Sequence, residues 1–320
     1  MTLQLTSIRR GMCTDYLRRV RAGVMIWGLI RITSSVFAQG AVMILSSDAS
    51  VEKYQVAQEA FIESLGRDPV LQVDLADNRS TEAQVIARMT NAAPAAVYCL
   101  GSRAYLLADR VVGDRKIVLS SAINWRRFEV GKNTLVVENE LRAGTQLNHF
   151  RYFFPSLQSV GVVCSRQYNR EWADEAVARG KDMELKVRCV FVDEDWEVST
   201  RLRRLLSKVD ALWVTADPIV LRDVDTVGAI FEEANKAKVP VFAYSGAFAD
   251  FGCTLMVSPD AATIGRQAAR LIEMNPEDLS KEARSQSPAG SHIILNLKAV
   301  RDLGLEIDPK ALDSVNDLIR

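Results

Sequence analysis

The sequence predicts an α/β fold built as two doubly wound, parallel-sheet lobes. Three observations carry that prediction. Short apolar runs of strand length alternate with amphipathic stretches of helix length, a rhythm that implies parallel strands joined by helices, with both faces of each sheet covered. The rhythm begins after Gln39 and restarts after Glu138, so the 320 residues hold two stretches of similar design. Composition suits a packed globular chain: 48% of residues are hydrophobic, 25% are charged, and no low-complexity tract intervenes.

In the first stretch, Ala41 to Leu45 reads as a strand. The following helix, Val51 to Leu65, sets Tyr54, Ala57, Phe61, Ile62 and Leu65 on one face, with Gly66 as its stop. Leu71 to Leu75 is a second strand, and Ser80 is expected to cap a helix running to Thr90. Pro94 precedes a third strand, Ala95 to Leu100, and Gly101-Ser102 opens the next helix. Lys116 to Ser120 and Thr134 to Glu138 are the fourth and fifth strands.

In the second stretch, Ala143, Leu147, Phe150 and Phe154 recur at helical spacing before Pro155. Val160 to Cys164 is apolar throughout, as a buried parallel strand requires, and the helix Tyr168 to Arg179 is expected to end at Gly180. Leu185, Val187, Cys189 and Phe191 alternate with Lys186 and Arg188, the pattern of a strand nearer an edge. Leu202, Leu205 and Leu206 mark a helix leading to the strand Ala211 to Thr215. Val227, Ile230, Phe231 and Ala234 mark another, leading to Val241 to Tyr244.

Ahead of both stretches, residues 1–38 read as a secretory signal peptide. Arg9, Arg10, Arg18, Arg19 and Arg21 precede the apolar run Ala22 to Ile30, and Ser34, Ser35 and Val36-Phe37-Ala38 supply small residues for cleavage after Ala38. The apolar run falls well short of the roughly 20 residues of a bilayer span. Arg31 interrupts the exit region, so retention as an amphipathic anchor is the alternative. No cysteine sits just past the run, which argues against a lipoprotein anchor. The whole chain has a formal charge of zero; losing the arginine-rich leader leaves it acidic, without the basic footprint of a nucleic-acid binder.

Catalytic signals are sparse. Beyond the leader stand Cys99, Cys164, Cys189 and Cys253, with no Cys-x-x-Cys spacing for zinc or redox work. Cys164 and Cys189 fall in consecutive strands, where an oxidising compartment permits a bridge, though two small core hydrophobes is the simpler reading. His149 and His292 have no nucleophile or metal ligand paired with them in sequence. Phosphate loops, dinucleotide fingerprints, nucleophile elbows and zinc-protease motifs are all missing, so no enzyme activity, metal or cofactor is expected. Asp193-Glu194-Asp195 lacks the ligand spacing of a calcium loop and reads as a solvated turn.

The strand ends carry more information. Sheets of this kind bind ligands at the carboxyl ends of their strands, and there stand Ser46, Ser47 and Asp48, then Ser102, Ser120, Ser121 and Ser245. Each serine alone is explained as a helix cap. Taken together they outline a polar cleft whose helix N-termini suit a carboxylate or similar anion.

An ordered series in the C-terminal half is the sharpest clue. Val209-Asp210-Ala211-Leu212-Trp213-Val214-Thr215-Ala216-Asp217-Pro218 is followed by Lys238-Val239-Pro240-Val241-Phe242-Ala243-Tyr244-Ser245. Then come Val257-Ser258-Pro259-Asp260, Ile264-Gly265-Arg266-Gln267-Ala268-Ala269, Ile294-Leu295-Asn296-Leu297-Lys298-Ala299-Val300 and Leu303-Gly304-Leu305. The series resembles the ABC-transporter substrate-binding proteins related to tryptophan and tyrosine uptake receptors, built on the type I periplasmic binding fold. The likeness is strongest from Val160 onward and weaker, though in register, from Ala41 to Ser121. The segment Asn124 to Val137, with Trp125-Arg126-Arg127-Phe128, departs from the pattern.

The resemblance implies lobe 1 from residues 39–140 plus 246–286 and lobe 2 from 141–245 plus 287–320. The chain would cross between them near Asn139 to Arg142, Ser245 to Phe248 and Arg284 to Gly290. It implies a periplasmic receptor, monomeric, that closes on a small polar or carboxylate-bearing solute, amino acid-like, and delivers it to inner-membrane ABC permease subunits. Ser47, Ser102, Ser121 and Asn124 are the expected ligand contacts from lobe 1, Tyr168 and Asp217 those from lobe 2, with Ser245 at a crossing. Ser258-Pro259 is read as the cap and first residue of the helix carrying Ile264, Ala268 and Leu271. A sensory module feeding a kinase or chemoreceptor is the alternative, a periplasmic enzyme a further one.

Overall fold

The computed structural model describes residues 41–66, 69 and 71–320; the expected leader lies outside the described residues. The first sheet collects β1 (Val42–Ser46), β2 (Leu71–Asp74), β3 (Ala96–Leu100), β4 (Lys116–Ser120) and β5 (Thr134–Val137), with α1 (Glu52–Leu65), α2 (Glu82–Ala92) and α3 (Ser102–Val111) between its strands. The chain continues through α4 (Ala143–Phe153), β6 (Ser159–Ser165), α5 (Arg166–Asp182), β7 (Lys186–Val192), α6 (Val198–Leu206), β8 (Ala211–Val214), α7 (Val224–Lys236), β9 (Val241–Ala243) and β10 (Leu255–Pro259). It returns to the first sheet with α8 (Ala261–Glu273) and β11 (Ser285–Gln286), and finishes with β12 (Ser291–Asn296), α9 (Leu297–Asp302) and β13 (Asp317–Ile319) in the second.

Strand order is β11-β5-β4-β3-β1-β2 in one sheet and β13-β12-β10-β9-β8-β6-β7 in the other. Pairing is parallel from β1 to β5 and from β6 to β10, because each crossover runs through a helix or long loop on the sheet face. Both sheets are therefore doubly wound, and strands buried on both faces read as the continuous apolar runs seen in sequence. The exception is β12, antiparallel to β10. The chain leaves β10 at its carboxyl end for the first sheet and comes back to that same end, so β12 can only run the other way.

The second crossing departs from expectation. Strand β10 pairs with β9 and β12, so the 3-10 segment Gly246–Phe251 and β10 stay with the second sheet, and the chain crosses at Pro259–Ala261. Ser258-Pro259 closes a strand, with Pro259 in register with Ser291, and Asp260 is the cap, its carboxylate accepting from the Thr263 N–H at 2.7 Å. Thr81, not Ser80, caps α2 through a reciprocal box with Gln84. Gly180 lies inside α5, where it serves proximity: a Cβ there would stand 2.5 Å from Val187 Cγ2 and 2.6 Å from the Leu185 carbonyl. The strand Lys186–Val192 does lie at a sheet edge.

Packing follows the pattern. In the first lobe α1 and α8 lie side by side, Ala57, Ala60, Gly265 and Ala268 keeping the contact small. Phe61 stacks on Tyr98 at 4.2 Å, whose buried hydroxyl pairs with Ser120 Oγ at 2.8 Å. In the second lobe Trp213 is fully buried against Phe150 and Trp172, and its Nε1–H donates to Gln146 Oε1. The four described cysteines are free; Cys164 and Cys189 sit on adjacent strands two residues out of register, Cys189 opposite Val162 and Cys164 opposite Phe191. No described helix is long and apolar enough to cross a membrane.

Candidate functional site

The carboxyl ends of both sheets face a cleft of about 970 Å3. The first lobe contributes Asn124, Arg126 and Arg127 from the loop after β4, and the first crossing contributes Glu138, Asn139, Glu140, Leu141 and Arg142. The second lobe brings Tyr168 and Trp172 from the start of α5, Thr215 and Ala216 after β8, and Tyr244 after β9. This is where an open α/β sheet leaves loop ends and helix N-termini free.

The lining is strongly charged yet balanced: Arg126, Arg127, Arg142 and Arg170 against Glu138, Glu140, Glu171 and Glu175. Arg126 anchors the hinge side, 2.6 Å from Glu138 Oε1 and 3.9 Å from Glu140 Oε2. Glu138, 7% exposed, also accepts from the hydroxyls of Ser285 and Ser287 on the third crossing, and Ser287 Oγ accepts from Arg142 Nε. One polar knot thus ties two of the three crossings together. Glu140 accepts from the Asn124 N–H at 2.7 Å. Burial and the neighbouring Glu138 charge push its pKa up, against opposition from that N–H and Arg126. Burial and the Glu140 charge push the Tyr244 hydroxyl up to about 12, so it stays a donor. Arg127 makes no ion pair among the described residues; its guanidinium lies over Phe128.

Of the seven expected contacts, the structure brings two, Asn124 and Tyr168, into the cleft lining. Asn124 adopts a left-handed backbone conformation, φ 52°, that turns the loop toward Glu140, and Tyr168 is 45% exposed. The others are engaged within their own lobe. Ser47 Oγ accepts from the Ala104 N–H at 3.0 Å, capping α3, whose first residue is Ser102, itself lining a separate surface groove. Ser121 is buried, 3.5 Å from Ser120 Oγ, and Ser245 caps the Gly246–Phe251 segment. Asp217, 3% exposed, accepts from Ser165 N–H and Oγ–H, Asn169 Nδ2–H, and the N–H groups of Ile219 and Val220. Its carboxylate is spent holding the kink of α5 at Asn169 against the β8 loop. A cap and a ligand group use the same oxygen, and here the cap has taken it.

Sequence reasoning passed over Arg126, Arg127, Glu138, Glu140, Trp172 and Tyr244 as site residues. A signal was there for two of them: Arg126 and Arg127 lie in the very segment, Asn124 to Val137, that departs from the family pattern, and Glu138 and Glu140 follow it directly.

Fold and cleft define a two-lobed binding protein, and the comparisons assign the class. The chain belongs to the ABC transporter substrate binding protein family, whose model matches residues 42–318. No curated protein matches the sequence. Among solved structures it is similar to the ligand-free, open form of a substrate binding protein with adhesive properties from Clostridium difficile, at 14% identity and TM-score 0.67 over 87% of this chain and 98% of that one. It is also similar to an ABC domain in complex with L-Trp from Streptococcus pneumonia, at 16% identity and TM-score 0.56 over 87% and 100%. A conserved domain protein from Vibrio cholerae matches at 15% identity and TM-score 0.57 over 88% and 100%.

Proposed function

We propose that the chain is an extracytoplasmic receptor, exported by its leader, that closes its two lobes on an amino acid-like solute and hands it to an ABC permease. The observation that carries this reading is the charge-balanced cleft at the strand ends. A zwitterion needs an anion and a cation a few ångströms apart, with a surface for its side chain between them. Glu140 stands ready for the ammonium and Arg127 for the carboxylate, while Tyr168 and Trp172 offer aromatic faces to the rest. Asn124 orients Glu140 through its own N–H.

Closure about the three crossings would bring the faces together over the ligand and present the closed form to the permease. An amino-acid ligand is of the same class as the L-Trp held by the pneumococcal protein.

The test is a thermal-shift screen of the leaderless chain against a metabolite library. A ligand at a hundred times its dissociation constant stabilises by about 2.7 kcal/mol, enough to raise the melting temperature measurably. Amino acids should form the class of hits, weakened by Glu140→Gln and by Arg127→Ala. Sugars or nucleosides as the hit class, indifferent to both substitutions, would replace the zwitterion reading.

A further inference from the structure

The second sheet ends at β7, and one side of that strand has no neighbouring strand among the described residues. The Lys186 N–H donates to the Gln158 carbonyl and so faces β6. Backbone groups alternate sides along a strand, so Arg188, Val190 and Val192 face β6 as well, and Val187, Cys189 and Phe191 turn their N–H and C=O groups outward. Helices α5 and α6 flank this edge and leave a groove of about 550 Å3 along it. Val177, Val187, Cys189 and Leu205 contribute its apolar surface.

Its rim is cationic. Arg188, Arg201, Arg204 and Lys208 line it against one acid, Asp174. Arg170 lies 3.8 Å from that acid, and Glu197 pairs with Arg201 at 2.8 Å. Arg188, Arg204 and Lys208 make no ion pair among the described residues, and Arg188 Nε is buried with no acceptor. Unpaired backbone donors and acceptors, alternating apolar pockets and unspent cations describe the complement of one kind of partner.

We propose that the β7 edge takes up an extended acidic segment of a partner protein as an added strand. Main-chain hydrogen bonds to Val187, Cys189 and Phe191 would supply the ladder, and carboxylates on the α6 side would meet Arg188, Arg204 and Lys208. A second copy of this chain is a poor occupant, because pairing β7 with itself sets the same three cations against one another.

The experiment uses the full chain and a fluorescein-labelled heptapeptide of alternating Glu and Val, read by fluorescence anisotropy at low and high salt. Saturable binding is expected for this peptide and not for its Lys-Val counterpart. Cys189→Pro removes an outward N–H without touching the ladder to β6, and should weaken binding about tenfold or more. The paired reversal Arg204→Glu with Lys208→Glu lies at the rim and should do the same; a melting curve on each variant verifies folding. Failure of the Glu-Val peptide to bind would overturn the proposal. So would binding that Cys189→Pro leaves unchanged, which means a mere charge patch, or binding to phosphatidylglycerol vesicles in place of the peptide, which means a membrane surface.

Discussion

At the scale of single residues, the site turns on which polar atoms are already spent. Asp217 has five donors of its own lobe on one carboxylate, whereas Glu140 has one N–H and a guanidinium at arm's length. A carboxyl that burial holds above its ordinary pKa is protonated more readily in the native state than in the unfolded one. Its contribution to stability is then fully present below the ordinary glutamate range and is lost as pH rises through the elevated native value. Glu140→Gln keeps the acceptor for the Asn124 N–H and deletes the charge. The variant is expected to melt higher than the parent at neutral pH, with the gap closing in acid. Its affinity for an ammonium-bearing ligand should fall about tenfold or more, the worth of one charge-assisted hydrogen bond. For the parent, that affinity should weaken as pH falls through the raised titration of Glu140. Melting curves and calorimetric titrations across pH check both; a Gln variant less stable than the parent at neutral pH would overturn the assignment.

At the scale of elements, most of the fold was legible because parallel strands buried on both faces leave unbroken apolar runs, such as Val160 to Cys164, and helices leave a 3.6-residue stripe. The second crossing was not legible: Ser258-Pro259 is a good cap and first turn as well as a possible strand end, and only pairing with β12 decides between them. The strand-end serines were ambiguous for a kindred reason, since capping an N–H and holding a carboxylate ask for the same hydroxyl. Arg126 and Glu140 escaped because they lie on segments with no periodicity, and Glu138 because it was read only as the end of a strand. One sequence feature, Gly265, gains its meaning only from packing. A Cβ there would lie 2.1 Å from the Ala57 carbonyl oxygen and 3.0 Å from the Phe61 nitrogen, both backbone atoms of α1 that cannot swing aside. Gly265→Ala must therefore push α8 off α1 and should cost about 1–3 kcal/mol, more for Gly265→Val. Urea denaturation reads this as a lower midpoint at unchanged slope. A Gly265→Ala variant as stable as the parent would show the two helices to be farther apart than described.

At the scale of the whole molecule, closure is a matter of differential affinity. Moving an open-to-closed ratio from 99:1 to 1:99 requires a ligand to favour the closed form about 10⁴-fold, or about 5.5 kcal/mol. A zwitterion bridging Glu140 and Arg127 supplies two charge-assisted hydrogen bonds of about 1.5–3 kcal/mol each, and aromatic burial between the lobes adds to them. The magnitudes meet, provided that some of these contacts form only when the lobes approach. The crossings suit the proposed closure: Glu138, Ser285, Ser287 and Arg142 bind the first and third to each other, so that they would bend as one, and Asp260 caps α8 directly after the second. Small-angle X-ray scattering on residues 39–320 should accordingly show a smaller radius of gyration and a shorter maximum dimension with saturating ligand. Glu138→Ala cuts the knot and leaves the Ser285 and Ser287 hydroxyls without their acceptor, so it should broaden the ligand-free distance distribution while leaving the ligand-bound one close to that of the parent. Scattering that does not change when calorimetry shows the cleft filled would mean a rigid binder and would overturn the proposed closure.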